Sequence, residues 1–205
     1  MIPDNGFLLI DKPYGWTSFD VVNKTRFILK GITGKKLKTG HTGTLDPLAT
    51  GLLVICYGSA TKKIEELTGL DKEYITTIEF GATTASFDKE QPVNERFDFV
   101  HIDEGSVRSA LESFNGKIMQ VPPAHSAKWV NGRRAYEYAR QGKDAPMEER
   151  ETEVHELELL NFSLPYATFR IVCSKGFYVR SFARDIGLAL QSGAYICELR
   201  RTRIG

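Results

Sequence analysis

The chain has 205 residues, of which 41% are hydrophobic and 26% charged, and its formal net charge is +1. These values are ordinary for a folded protein and argue against disorder. Its longest apolar runs, such as residues 52–56, are far shorter than the roughly 20 residues of a membrane span. The first residues lack the basic start of a signal peptide, so we expect a single folded domain that stays in the cytoplasm.

The predicted elements mix strands and helices without a regular βαβ order. Strand patterns cover, in chain order, residues 6–11, 52–58, 72–81, 152–164, 167–176 and 194–205. Helix patterns cover residues 19–30, with Ser18 as the expected N-cap, then 59–69, 104–114, 134–142 and 178–191. Residues 31–45 and 82–103 are expected to be irregular. This order favours an α+β fold with a mixed, mostly antiparallel central sheet flanked by helices.

Cysteine and histidine spacing favours no disulfide framework and no metal site. The three cysteines are far apart, no CxxC occurs, and the four histidines have no metal-ligand spacing. No phosphate-binding G-x-x-x-x-G-K-[ST] loop is present either. We therefore expect no metal and no cofactor.

Positive charge is segregated along the chain. Residues 21–45 contain six lysines and arginines and no acid, residues 128–143 contain five against the single acid Glu137, and three more arginines lie near the C-terminus. Local charge of this kind can bind a phosphate backbone on a protein whose net charge is small. Solvated helix ends and loops explain the same pattern, so this feature leaves both interpretations open.

Asp46 is the first candidate for chemistry. It lies in GHTGTLDPLATGLL, residues 40–53, with no other acid between Asp20 and Glu65. Pro47 restricts the backbone of Asp46 to extended conformations, which fixes the direction of the carboxylate. A carboxylate held in this way can be a nucleophile or a base, and an Asx-turn that satisfies its own backbone is the alternative.

A carboxylate in an apolar pocket needs a cation in order to stay ionised, because desolvation raises its pKa. GFYVRSFARD offers Arg180 at a strand-to-helix junction, but residue chemistry does not separate it from Arg184 or Arg170. Aromatic rings and an imidazole, the usual stacking partners of an unstacked base, occur at Tyr74, Tyr178 and His41. Each of them taken singly also fits a core position.

Six ordered motifs are similar to those of the TruB-type tRNA pseudouridine synthases. GHTGTLDPLATGLL resembles the family's signature loop, and GFLLIDKPYGWTSFDVV its N-terminal motif. The remaining matches are SATKKIEELTGLDKEY, the insertion QVPPAHSAKWVNGRRAYEYARQG, CSKGFYVRSFARDIG and CELRRTRIG. They span nearly all of the chain, so the resemblance implies the pseudouridine synthase fold.

Carried over position by position, the resemblance assigns three catalytic residues. Asp46 would be the nucleophile, and Arg180 its ion-pair partner. Tyr74 would stack on the target uracil and lie near the proton that is lost at C5.

The resemblance also implies a substrate pocket and a braced loop. Tyr178 and Leu199 would line the uracil pocket, and His41 would fill the space left by the flipped nucleotide. Lys12 and Pro13 match a motif to which we give a structural role.

The implied reaction converts uridine in the T-arm loop of tRNA, at position 55, to pseudouridine. The N1 glycosidic bond breaks, uracil rotates, and ribose is rejoined to C5, without a metal or cofactor. Whether Asp46 adds to C6 of the base or to C1′ of the sugar is open. In both cases the uridine must be flipped out of a folded loop, at a cost of about a few kcal/mol.

Three departures from the family pattern concern the RNA contacts. The RNA-clasping insertion, at about residues 120–147, has His125 where an aromatic residue is usual and Trp129 where a lysine is usual, with Lys128 displaced by one. The stretch FGATTASFDKEQP lacks the usual acid at Ala85 and the usual glycine near Pro92. The sequence ends at Gly205, without the C-terminal PUA-type RNA-binding domain of many relatives, and we expect weaker tRNA affinity for that reason.

Two other classes of function compete with the enzyme. One is a non-catalytic RNA-binding or tRNA-remodelling protein on the same fold, against which the presence of Asp46, Tyr74 and Arg180 argues. The other is a carboxylate-dependent hydrolase or phosphotransferase, against which the missing metal ligands and phosphate loop argue. We expect a monomer.

Overall fold

The computed structural model describes residues 3–126, 129–130, 132–141, 143 and 146–205. The strands are β1 (Gly6–Lys12), β2 (Thr39–His41), β3 (Thr50–Tyr57), β4 (Lys72–Phe80), β5 (Ala82–Thr84), β6 (Val93–Arg96), β7 (Gly116–Gln120), β8 (Trp129–Val130), β9 (Arg133–Arg134), β10 (Arg150–Ser163), β11 (Tyr166–Cys173) and β12 (Ala194–Ile204). The α-helices are α1 (Ser18–Thr33), α2 (Ile64–Gly69), α3 (Glu104–Leu111), α4 (Ala135–Arg140) and α5 (Val179–Ala189), and two 3₁₀ helices cover Gly58–Lys63 and Glu112–Phe114.

The chain divides into two compact units, of which the first comprises Met1–Ile75 and Glu198–Gly205. In this unit the strand order is β1-β3-β12-β4, with β2 paired to β3. The boundary between the units falls within β4 and within β12, so each of these two strands belongs partly to both units. β1 and β2 run antiparallel to β3, whereas β12 runs parallel to it. Helix α1 covers one face of this sheet because Val21 and Val22 pack against Leu53 and Ile55 of β3.

The second unit comprises Thr76–Cys197. Its strands follow the order β12-β4-β11-β10-β7, and β10 runs antiparallel to both β11 and β7. Helix α5 is anchored by Phe182, which is fully buried and meets the rings of Phe169 and Phe114 edge to face, with centroids 5.5 and 5.3 Å away. Such aromatic contacts orient a helix as well as burying apolar area. The sheet therefore holds the first residues of α5 in a fixed position.

The predicted fold class is confirmed: the sheet is mixed and mostly antiparallel, and helices pack on it. The predicted N-cap of α1 was wrong. Thr17 caps the helix and forms a capping box with Asp20, whereas Ser18 is buried and bonds elsewhere. A hydroxyl at either position can accept from a backbone N–H of the first turn, so local sequence does not separate the two.

Two segments that were expected to be irregular contain short strands. Residues 31–45 include the end of α1 and all of β2, and residues 82–103 include β5 and β6. These strands are only three or four residues long, and β6 is exposed throughout, so no apolar alternation marks it in the sequence. The prediction of one domain over residues 1–205 stays a prediction. Within the expected RNA-clasping insertion, Lys128 lies outside the described residues.

Candidate active site

Asp46 lies half-buried in the loop between β2 and β3, in the first unit. The loop begins after β2 with Thr42, whose N–H donates to Val54 O over 3.1 Å. It turns at Asp46 itself, where the carbonyl of Asp46 accepts from the N–H of Ala49 over 3.1 Å. The residues that follow enter β3 in the middle of the sheet, so both ends of the Asp46 loop are fixed by strands.

Ser18 fixes the residue before Asp46. Its hydroxyl donates to Leu45 O over 3.0 Å and accepts from Leu45 N over 2.8 Å. Both residues are about 4% exposed, so both backbone groups of Leu45 depend on this one side chain for their hydrogen bonds. The start of α1 therefore holds the Asp46 loop through Ser18.

Lys12 fixes the residue after Asp46. Its side chain is fully buried, and its ammonium donates to the carbonyls of Pro13, Trp16 and Pro47 over 3.0, 2.6 and 3.1 Å. Burial lowers the pKa of Lys12, and the negative charges of Asp46 and Asp20 oppose that shift. The arrangement agrees with the structural role expected for Lys12.

Arg201 of β12 fixes both ends of the same loop. Its guanidinium is 1% exposed, and it donates to Leu52 O over 2.8 Å and to Gly43 O over 3.1 Å. β12 approaches the loop so closely that a Cβ on Gly51, whose φ is +98°, would lie 2.2 Å from Arg201 O. Glycine is therefore required at position 51, and Arg201 can bridge the two strands.

His41 ends β2 and points its Nδ1 atom back at the loop. Nδ1 accepts from the N–H of Gly43 over 3.3 Å, which places the proton of the neutral ring on Nε2. Burial lowers the pKa of His41, and the positive charge of Arg201 lowers it further. The imidazole is therefore neutral at pH 7 and can stack or donate from Nε2.

Tyr74 and Leu199 lie against the cluster that surrounds Leu45. This cluster consists of Val21, Val22, Leu45, Ala49, Leu53 and Ile55, and the half-buried side chains of Tyr74 and Leu199 pack on it. Within the first unit the fold thus brings together the Asp46 loop, an aromatic ring and an aliphatic side chain from three different strands and loops. A half-buried carboxylate on a rigid loop beside such a surface can act as a nucleophile or base toward a flat ring.

Arg180 lies in the first turn of α5, in the second unit. It is 4% exposed, its Nη1 donates to Ser86 O over 3.3 Å, and its Nε is 3.8 Å from Asp88 Oδ2. Asp88 is 5% exposed, and its Oδ1 accepts from Ser86 Oγ over 2.6 Å and from Glu90 N over 2.9 Å. Arg180 thus belongs to a buried, hydrogen-bonded network.

Tyr178 is the residue before α5 and is held by Gln120 of β7. The Gln120 amide donates to Tyr178 O over 3.1 Å and accepts from Tyr178 N over 2.8 Å. Gln120 is 1% exposed, so this bidentate contact replaces water at the backbone of Tyr178. The half-buried ring of Tyr178 is therefore carried on a fixed backbone.

Four residues of these networks were missed by sequence reasoning: Ser18 as a loop contact, Asp88, Gln120 and Arg201. The residue types alone gave no sign that these side chains would be buried. Phe87, between Ser86 and Asp88, has a positive φ of 59° that is typical of a tight turn, but this is visible only in the structure. In the described part of the chain, no group of three or more His, Cys, Asp and Glu side chains is placed to hold a metal ion, and no helix is long and apolar enough to cross a membrane.

Comparison with known proteins gives consistent matches. Residues 30–179 match the family described as TruB family pseudouridylate synthase (N terminal domain). The tRNA pseudouridine synthase B of Phocaeicola vulgatus is 51% identical over 199 residues, which are 97% of this chain and 85% of that protein. The protein of the same name from Flavobacterium johnsoniae is 50% identical over 200 residues, 97% of this chain and 87% of that protein.

A solved structure shares the fold. A chain in the crystal structure of a Cbf5–Nop10–Gar1 complex matches with a TM-score of 0.73 and 30% identity, covering 98% of this chain and 49% of that chain. The present chain therefore spans about half the length of the chain in that complex.

Proposed function

The chain belongs to the TruB family of pseudouridylate synthases, and on that premise we propose that it isomerises uridine to pseudouridine in tRNA, with Asp46 as the nucleophile. The proposed target is position 55 in the T-arm loop. The observation that carries the role of Asp46 is the rigidity of its loop, which is held before Asp46 by Ser18 and after it by Lys12. A nucleophile needs such positioning, since misplacement by about 1 Å can cost about a hundredfold in rate.

The proposed reaction conserves all atoms. The N1–C1′ bond breaks, the uracil turns, a C5–C1′ bond forms, the hydrogen on C5 leaves as a proton, and N1 takes up a proton. Asp46 adds to the substrate and is released unchanged at the end, so no external oxidant, reductant or group donor is consumed. Addition at C6 and addition at C1′ both require an ionised carboxylate.

We assign the other site residues as follows. Tyr74 stacks on the uracil and lies near the departing C5 proton, and Leu199 lines the uracil pocket. The packing of both side chains on the cluster that contains Leu45 supports these roles. His41, neutral and half-buried, fills the place of the flipped nucleotide, for which an uncharged flat ring is suited.

Arg180 and Tyr178 are assigned by the family resemblance. Arg180 is proposed as the cation that keeps Asp46 ionised, and Tyr178 as a second wall of the uracil pocket. Support comes from their fixed positions: the guanidinium of Arg180 is buried beside Asp88 and Ser86, and the backbone of Tyr178 is clamped by Gln120. We further propose that the enzyme acts as a cytoplasmic monomer, without metal or cofactor, on the T-arm stem-loop.

Release of tritium tests the reaction and its nucleophile together. A T-arm hairpin whose uridines carry tritium at C5 is incubated with enzyme, and label in water is counted. We expect stoichiometric release by the wild type and at least about a thousandfold slower release by Asp46→Asn, with hairpin binding retained. Asp98→Asn, an exposed acid, is the matched control and should release label at the wild-type rate.

Two results would contradict the proposal in different ways. Undiminished release by Asp46→Asn would remove Asp46 as the nucleophile. Binding of the hairpin by the wild type without any release would favour the non-catalytic RNA-binding function.

A further inference from the structure

An open groove of about 560 Å³ lies at the start of α1, and the proposed reaction assigns no role to it. Gly15, Trp16, Asp20, Asn23 and Lys24 line this groove, and all of them belong to the first unit. Trp16 is 40% exposed, although an indole ring of its size normally buries most of its area in a core. The groove thus combines a bare flat ring with three polar side chains.

The polar groups of the groove have unused hydrogen-bonding capacity. Asn23 Oδ1 accepts from Arg26 Nη1 over 2.9 Å, which leaves the amide nitrogen of Asn23 without a partner among the described residues. The Lys24 ammonium likewise has no ion pair or hydrogen bond within the described part of the chain. Asp20 Oδ2 accepts from the N–H and hydroxyl of Thr17, and Oδ1 remains able to accept. A donor, an acceptor and a cation therefore surround the ring.

The groove is joined to the Asp46 loop through main-chain hydrogen bonds. The Lys12 ammonium binds the carbonyl of Trp16 and the carbonyl of Pro47 at the same time, and Gly15 N donates to Pro47 O over 2.9 Å. Pro47 is the residue after the proposed nucleophile. The backbone of Gly15 and Trp16 is therefore held in place relative to Pro47 and the Asp46 loop. A binding position for a nucleotide next to the reacting one needs such a fixed placement.

The local charge favours an anionic occupant. Asp20 and Lys24, the two charged residues that line the groove, balance each other. Beyond Asp20 the chain carries six lysines and arginines and no acid from residue 21 to residue 45, and Lys24 and Lys30 are exposed on α1. A protein partner of an exposed aromatic patch would not require this excess of positive charge. An RNA strand satisfies both features, since its bases stack on aromatic rings while its phosphates meet lysine.

We propose that this groove binds an unpaired nucleotide of the RNA substrate next to the target uridine, with its base stacked on Trp16, its edge bonded by Asp20 and Asn23, and its phosphate near Lys24. The proposal rests on the proposed function for the identity of the RNA. It adds a second nucleotide-binding position to that site, and it assigns Trp16 a role in substrate affinity, separate from the chemistry at Asp46.

A double-mutant cycle between protein and RNA tests the groove. The hairpin is made with a single abasic position at each loop nucleotide in turn, and its dissociation constant is measured for the wild type and for Trp16→Ala. We expect Trp16→Ala to bind the intact hairpin about tenfold more weakly. One of the abasic hairpins should bind the wild type about tenfold more weakly than the intact hairpin does. The same abasic hairpin should bind Trp16→Ala about as tightly as the intact hairpin does, because the ring on which the missing base would stack is already absent.

Matched variants separate stacking from a general surface effect. Trp16→Phe, which keeps a flat ring, should bind within about threefold of the wild type. Phe27→Ala removes a ring of α1 that is 75% exposed and lies outside the groove, so it should have no effect. Lys24→Gln should reduce the salt dependence of binding by about one phosphate contact.

The outcomes distinguish this proposal from the proposed function. Equal binding by Trp16→Ala and the wild type, or equal losses for every abasic hairpin in both proteins, would overturn the groove proposal even if tritium is released normally. Coupling between Trp16 and one abasic position without tritium release would support the groove while removing the catalytic function. A wild-type protein that binds no hairpin at all would overturn both.

Discussion

The two units bury their cations against different partners. In the first unit, Lys12 and Arg201 donate to main-chain carbonyls that belong to the Asp46 loop and its neighbours. In the second unit, Arg180 lies beside the carboxylate of Asp88, with both side chains no more than 7% exposed. The first arrangement fixes the path of the backbone, and the second compensates a buried charge.

This difference predicts how each region responds to substitution. Loss of a cation that binds carbonyls leaves neutral dipoles without donors, which costs about 1–3 kcal/mol per group. Loss of a cation that compensates a carboxylate leaves a buried charge, which costs more. The second unit should therefore be the more sensitive of the two to removal of a single positive charge.

The largest effect is expected for Arg180→Met. It leaves Asp88 buried without its cation, so the free energy of unfolding should fall by about 3–5 kcal/mol, and tritium release should slow by at least about a hundredfold. Urea denaturation measures the first quantity. Arg108→Met, which breaks an exposed ion pair with Glu104, should cost at most about 1 kcal/mol; equal losses in the two variants would contradict the difference between the units.

A smaller loss of about 3 kcal/mol is expected for Lys12→Met. Three carbonyls lose their common donor, but Pro13 and Trp16 are exposed residues, so water can replace the ammonium there and the cost stays near the lower limit of about 1 kcal/mol per group. Arginine should not rescue the site, since its planar guanidinium does not fit a space shaped for a compact ammonium. Chemical denaturation of Lys12→Met and Lys12→Arg checks this. Lys35→Met removes an exposed lysine and should leave the free energy of unfolding within about 0.5 kcal/mol of the wild type.

Ser18→Ala should lower the free energy of unfolding by about 2 kcal/mol, which is the lower limit for two backbone groups of Leu45 that lose their partner in a dry site. The change moves the Asp46 loop, so kcat should fall while hairpin binding stays near the wild-type level. Thermal unfolding and single-turnover kinetics measure the two effects. Ser113→Ala, at an exposed serine, is the control; a Ser18→Ala enzyme with unchanged stability and kcat would show that Leu45 needs no support.

The smallest effect concerns pH and His41. Burial and the positive charge of Arg201 lower the pKa of His41 in the folded protein. In the unfolded chain the pKa of a histidine is about 6.5. Below that pH, His41 binds a proton in the unfolded state but not in the folded state. The stability that the neutral ring contributes is therefore fully present above pH 6.5 and is lost as the pH falls. The free energy of unfolding should therefore fall less between pH 7.5 and 5.5 in His41→Asn than in the wild type. An NMR titration of the imidazole with a midpoint at or above 6.5 would contradict this.

The limits of sequence reasoning are clearest at three residues. Thr17 and Ser18 both carry a hydroxyl that could cap helix α1. The Ser18 hydroxyl is bound to the backbone of Leu45, so Thr17 is the residue that remains free to cap the helix. Asp88 has the local setting of an ordinary turn acid, and becomes a buried charge only because α5 lies beside it. Cys197 resembles a reactive thiol in being half-buried, yet burial in the fold raises its pKa to about 11, which keeps it protonated at neutral pH.

Periodicity, turn residues and the order of the motifs determined the α+β class, the bounds of the long strands, the family resemblance and the choice of Asp46, because these depend on local pattern and on residue identity. The family resemblance had already given Lys12 a structural role, and the tertiary structure alone decided which carbonyls Lys12 binds and that Ser18 and Arg201 support the same loop. Lys12, Ser18 and Arg201 come from a strand end, a helix start and a distant strand, and their bonds to residues 43–52 form only when these elements pack together. Burial gives those bonds their strength, since a polar group removed from water must find its partner in the fold.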